Sequence, residues 1–90
     1  MNEAISKLKL DMFGIELVQD GDTYSSMIID SNLYQDIFDY FGSLDFITLD
    51  EDSVELDEDK QVVDFKNDDI VVTLNANFKD DSYSIVVRGA

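Results

Sequence analysis

The residues best able to do chemistry in this chain are carboxylates. Residues 49–60, LDEDSVELDEDK, hold the same four letters twice, Leu49-Asp50-Glu51-Asp52 and Leu56-Asp57-Glu58-Asp59, seven residues apart. Clustered carboxylates serve three purposes: acid–base catalysis by a pair whose environments separate their proton affinities, coordination of a hard cation, and recognition of a basic surface. Each purpose demands its own spacing.

The calcium loop of a helix–loop–helix site needs oxygen ligands at positions 1, 3, 5 and 12 and a glycine at position 6. Counting from Asp50 puts Val54 and Glu55 at the fifth and sixth positions, and counting from Asp57 puts Gln61 and Val62 there. Neither register fits, so no metal site and no cofactor is expected. Catalysis fares no better. The chain has no histidine and no cysteine, which removes the commonest general base, the commonest transition-metal ligands and every disulfide. It also lacks a glycine-rich phosphate loop, and a carboxylate pair such as Asp57 and Asp59, in a wet turn, has nothing to split its two proton affinities. An enzyme is not expected.

Recognition of a basic surface remains, and the charge distribution favours it. Twenty-one acids against six bases give a net charge of −15, where solubility of a small domain needs only roughly 2 to 8. No base occurs between Lys9 and Lys60, while the acids outside residues 10–59 are matched by the six bases. The net charge therefore belongs to the middle of the chain. Such density excludes nucleic acid and anionic membrane as direct partners. The candidate partner-binding residues are Asp20, Asp22, Asp36, Asp39, Asp45, Asp50, Glu51, Asp52, Glu55, Asp57, Glu58 and Asp59.

The elements that must position them follow from periodicity. Ninety residues with 44 % hydrophobic content suit a single domain over 1–90 with a modest core. No long apolar run precedes a small-residue cleavage site, and no stretch approaches the ~18 apolar residues of a membrane span, so a soluble, cytoplasmic protein is expected. Ala4, Ile5, Leu8 and Met12 recur at helical spacing, predicting a short helix that Gly14 ends, although Leu8, Leu10 and Met12 also alternate as a strand would. Residues 15–19 and 23–29 flank Asp20-Gly21-Asp22, a hairpin signal. The segment 32–41 predicts an amphipathic helix after the cap-forming Asp30-Ser31-Asn32, with Leu33, Tyr34, Ile37, Phe38, Tyr40 and Phe41 inward and Gly42 at its end.

Beyond it, short β-branched runs separated by four-residue polar turns read as a series of hairpins. Ile70, Val72, Leu74, Ala76 and Phe78, and Tyr83, Ile85 and Val87, fall on one face. Each LDED reads as the last inward residue of a strand followed by a turn, with Val54, Glu55 and Leu56 as a short strand between. The terminal strand is apolar on both faces around Val86, which predicts a homodimer through strand pairing. The fold class is α+β: one antiparallel meander sheet packed by one or two short helices.

Small size, strong acidity, absence of cysteine and one-sided charge resemble the phage-encoded DNA mimics, among them inhibitors of uracil-DNA glycosylase, of the nucleoid protein HU and of restriction enzymes, and acidic anti-CRISPR proteins. The order helix, strands, helix, antiparallel strands is similar to the uracil-DNA glycosylase inhibitor over most of the chain. That family's strand-end Gln-Glu-Ser run has only Gln19-Asp20-Gly21 in the corresponding place, and its proline-led second helix is replaced by NLYQDIFDYFG. The class is carried over and the glycosylase target is not. The resemblance implies a basic DNA-binding host protein as partner and the host cytoplasm as location; the alternative is an immunity-type antidote to a basic toxin such as a nuclease.

Because neither acidic repeat has calcium-ligand spacing, cation binding should be no tighter than the millimolar range of low-affinity modules. Calorimetry returning a stoichiometric micromolar calcium site would contradict this.

Overall fold

The computed structural model describes residues 2–90. Helix α1 (Asn2–Leu8) is followed by a 3-10 turn over Leu10–Phe13. The break lies at Lys9, whose backbone is left-handed at φ 53°. Leu8 and Leu10 cannot share one face of a continuous helix, but the reversal at Lys9 buries both and leaves Met12 61 % exposed. Met12 is therefore not part of the apolar stripe. Gly14, at φ 72°, does end the segment and donates its N–H back to the Asp11 carbonyl.

Strands β1 (Val18–Asp20) and β2 (Thr23–Ile28) form the expected hairpin, with Asp20 opposite Thr23. The loop is Gly21-Asp22, and a positive φ at Gly21 but not at Asp22 matches a type II′ turn. Helix α2 (Ser31–Ser43) then starts on Asp30, whose Oδ1 accepts from the Leu33 N–H at 2.8 Å. Tyr34, Ile37 and Phe41 are buried, and Leu33, Phe38 and Tyr40 pack against the core. Gly42 does not end this helix. It stays helical, and the chain leaves through Leu44 in an extended conformation.

Strands β3 (Thr48–Leu56), β4 (Lys60–Lys66), β5 (Ile70–Asn77) and β6 (Ser82–Gly89) complete one six-stranded antiparallel sheet in the order β1-β2-β6-β5-β4-β3. Both helices lie on one face, so the fold is the α+β meander that the pattern implied. Val63, Phe65, Ile70, Val72, Leu74, Ala76, Ile85 and Val87 are buried beneath them. The helix is seated on the sheet by aromatic pairs: Phe41 and Phe38 each meet Phe65 at 5.6 Å between centroids, and Tyr34 meets Tyr83 at 5.4 Å.

Three expectations fail in the sheet, each for an identifiable reason. Phe78 lies beyond β5, in the turn, because the strand ends at Asn77. The terminal strand is not an edge: β6 is hydrogen-bonded to β2 on one side and β5 on the other, so its backbone has no free edge for strand pairing across a homodimer. The two LDED repeats do not close two separate strands with a turn between. Residues 44–47 are irregular, and Thr48–Leu56 form one strand with a large bulge, where Glu51, Asp52, Ser53 and Val54 stand opposite Val63 alone.

A serine closes that bulge. Asp64 N–H donates to Ser53 Oγ at 2.9 Å and Ser53 Oγ donates to the Asp50 carbonyl at 2.6 Å, so the hydroxyl stands in for a missing ladder bond. Phe41→Ala should cost about 3 to 5 kcal/mol, as for other buried aromatics, and the half-buried Phe38→Ala should cost less; chemical denaturation measures both. Ser53→Ala strands a half-buried donor and acceptor, and should cost about 1 to 3 kcal/mol with amide exchange at Asp64 accelerated.

Candidate partner-binding surface

The two LDED repeats share a local hydrogen bond. Asp50 Oδ1 accepts from Asp52 N–H at 3.2 Å, and Asp57 Oδ1 accepts from Asp59 N–H at 2.8 Å and from Lys60 N–H at 2.8 Å. Both are turns of the kind aspartate makes with its own backbone. The first is folded into the β3 bulge and the second makes the β3–β4 connection.

This local geometry separates the acids into groups that a row of evenly spaced strand residues would not produce. Eleven of the twelve candidates are exposed, and Asp50 is half-buried in an ion pair with Lys66 at 3.1 Å. Glu51, Asp52 and Glu55 lie along the β3 edge, with Asp57, Glu58 and Asp59 continuing it around the β3–β4 turn. Asp36 and Asp39 lie on the outward side of α2, where Asp39 accepts from the Gln35 amide at 3.1 Å. Asp45 lies in the connection from α2 to β3. Asp20 and Asp22 are not brought to this group, because β1 and β3 are opposite edges of the sheet, about 24 Å apart at a strand spacing of ~4.8 Å.

Other residues join it. Lys60 faces Asn77 across the ladder and Phe78 N–H donates to the Asp59 carbonyl at 2.7 Å, so the β5–β6 turn sits against the β3–β4 turn. Asp80 and Asp81 therefore extend the acidic rim, although they belong to the charge-balanced end of the sequence. Asp81 is held at φ 53° and accepts from Tyr83 Oη at 2.9 Å. Within the same rim Leu56 is 70 % exposed and Phe78 44 % exposed. A spaced run of acids in sequence signals neither of these apolar side chains.

The opposite, helix-free face of the sheet behaves differently. Arg88 bonds Thr73 Oγ1 at 2.9 Å and pairs with Asp64 at 3.7 Å, while Thr73 donates to Asp64 Oδ1 at 2.6 Å. Following the register, Lys60, Lys66 and Arg88 share this face with Asp20, Asp50, Glu55 and Asp64. Three bases against four acids make it nearly neutral. Of the chain's twenty-one acids and six bases, that leaves seventeen acids and three bases for the rest of the surface.

Two tyrosines are shifted by the fold. Burial pushes the Tyr34 phenol up to about 12, with a smaller contribution from Tyr83 beside it. The hydrogen bond to Asp81, then burial, raises Tyr83 above its ordinary range. Neither sits in a cleft with a nucleophile, and both hold α2 to β6. Among the described residues no three acidic side chains converge as a cation cage requires, and no helix is long and apolar enough to cross a membrane. No protein-family model, curated protein or solved structure matches the chain.

Tyr34 Oη is buried without a hydrogen-bond partner, which generates a test. A phenol whose pKa is raised in the folded state contributes stability below its ordinary pKa of 10.0, and that stability is lost as pH rises through about 12. Tyr34→Phe removes both the orphaned hydroxyl and this titration. It should raise stability by about 1 kcal/mol at neutral pH and flatten the fall in melting temperature between pH 10 and 12; a destabilised variant would mean that the hydroxyl has a partner.

Proposed function

We propose that this protein is a DNA-mimic inhibitor: it occupies the basic nucleic-acid-binding surface of a host DNA-binding protein and blocks access of DNA to it. The observation that carries the reading is the exposed acidic rim running from the β3 bulge through Asp57, Glu58 and Asp59 to Asp80 and Asp81. Lys60 and Lys79 are the bases in these turns. Alternate residues on one side of an extended strand lie roughly 6.6 Å apart, the same order as the ~3.4 Å phosphate repeat of one DNA strand, so a strand edge is a suitable frame for such carboxylates. A basic groove that releases counterions to DNA would release them to such a rim as well.

The turn chemistry supports rigidity. Asp57 is tied to two backbone N–H groups and Asp81 to a buried tyrosine, so these two carboxylates are presented with little entropy to lose on binding. Leu56 and Phe78 favour a second reading, an antidote dedicated to one basic toxin. DNA offers no such apolar anchors, whereas specific protein interfaces centre on them.

The first experiment identifies the partner. Protein immobilised and exposed to bacterial lysate at low salt should retain basic DNA-binding proteins that are eluted by salt and by duplex DNA. Retention of one basic protein that DNA does not displace would favour the antidote, and retention of none would remove both readings.

A second experiment places the site. Replacing Asp52, Asp57, Asp59 and Asp80 by Asn removes four rim charges; replacing Asp20, Asp22, Asp68 and Asp69 by Asn removes four at the other end of the sheet. Each set takes the net charge from −15 to −11, so long-range steering, which follows the summed field, should be matched. The rim variant should lose affinity by about tenfold or more with a shallower salt dependence, and the other should change little. Equal losses would mean that bulk charge suffices.

A further inference from the structure

We infer that the helix-free face of the sheet is a self-association surface, and that its occupant is a second copy of this chain packed face to face. The inference is independent of the acidic rim and of the partner proposed for it. It begins from electrostatics. Two copies, each carrying fifteen net negative charges, repel through the helix side, the turns and the β3 edge, where seventeen acids face three bases. The helix-free face carries three bases and four acids, with Asp64 paired to Arg88 and Asp50 to Lys66. It is the broad surface on which a second copy meets no large excess of like charge.

The composition of that face fits. Val62 and Val86 lie half-buried in the middle rows of the face, Val71 lies half-buried between Lys66 and Arg88 at one end, and Val18 and Met27 are 67 % and 64 % exposed at the β1–β2 corner. Val18, Met27 and Val86 line a shallow depression with Ser25 and Ser84. Between them stand Thr73, Asn75 and Ser82, small polar groups of the sort found at interfaces that keep bound water. A sheet closed on one face by helices and open on the other commonly leaves the open face to solvent. The exposed Val18 and Met27, with three half-buried valines beside them on a charge-compensated face, give this one more to bury than solvation requires.

The area is sufficient. Six strands at ~4.8 Å spacing and about seven residues at ~3.3 Å rise make a face of about 24 by 23 Å, or about 1,100 Å² counted over two copies. Specific interfaces begin near 1,000 Å². Twisted sheets pack in this manner with their strands about 30° apart. Dimerisation of this kind leaves the rim carrying Leu56, Phe78 and Asp57–Asp59 open, so a dimer would present two rims.

The salt response is diagnostic. Sheet faces that meet against a background of net repulsion associate more tightly as salt screens it, the reverse of binding to a basic partner. Sedimentation velocity on the full chain from low to high sodium chloride should give a monomer–dimer equilibrium whose dissociation constant falls at least several-fold. The double change Met27→Asn and Val86→Asn, which leaves the charge untouched, should raise that constant at least tenfold. Leu56→Ser with Phe78→Ser should leave it unchanged. Should the first pair fail to fold, concentration-dependent amide shifts of the unaltered protein decide: they should cluster at Val62, Thr73, Ser84 and Val86. A chain that stays monomeric at every salt concentration, or shifts confined to β1, β3 or α2, would overturn the inference.

Discussion

A chain with this excess of carboxylate folds only if every charge keeps its water while the apolar residues lose theirs, and that constraint organises the molecule. Among the described residues no charged side chain is buried, and the buried tyrosines Tyr34 and Tyr83 bring the core its phenol groups. The acids are distributed to turns, to the outer strand and to the back of α2, and the core is drawn from residues at strict spacings between them. The contact of Phe38 and Phe41 with Phe65 therefore matters more than an ordinary packing pair. Burial of apolar surface, aliphatic and aromatic together, is the main free energy opposing a self-repulsion that grows with the square of the net charge.

The same constraint explains why aspartate outnumbers glutamate, sixteen to five. Short carboxylates can satisfy turn backbones, and Asp30, Asp50 and Asp57 each do so. Asn67 does the same for the β4–β5 turn, accepting from Asp69 and Ile70. Charge is thus partly structural: the residues that make the surface negative also close the connections. Function, in the proposed reading, uses groups that the fold has already fixed in place.

What could be read from the letters is what local pattern dictates. The inward face of α2 and the alternation of β5 and β6 follow from periods of 3.6 and 2, and both stand. The failures lie where the deciding interaction is not local. Nothing around Lys9 marks it for a left-handed backbone; burial of both Leu8 and Leu10 imposes it. Gly42 has the look of a helix end, but Phe41 packs on Phe65 and Ser43 Oγ donates to the Tyr40 carbonyl, and the helix runs two residues past Phe41, through Gly42 to Ser43. Strand order was hidden as well, since the pairing of β2 with β6 spans most of the chain. For the candidate surface, the acids along β3 were evident. Asp80, Asp81, Leu56 and Phe78 join them only because two turns meet in space.

The serine-closed bulge has a consequence for the fate of the molecule at high concentration. A sheet grows into fibres when an edge offers a flat, regular row of unpaired backbone groups to the next chain. One edge here is β1, three residues long, and the other is β3, interrupted where Glu51–Val54 loop out and lined with carboxylates. Neither offers a template of useful length, even when added salt has silenced the charges. The two edges thus stay poor templates for fibre growth at concentrations where repulsion no longer protects the chain.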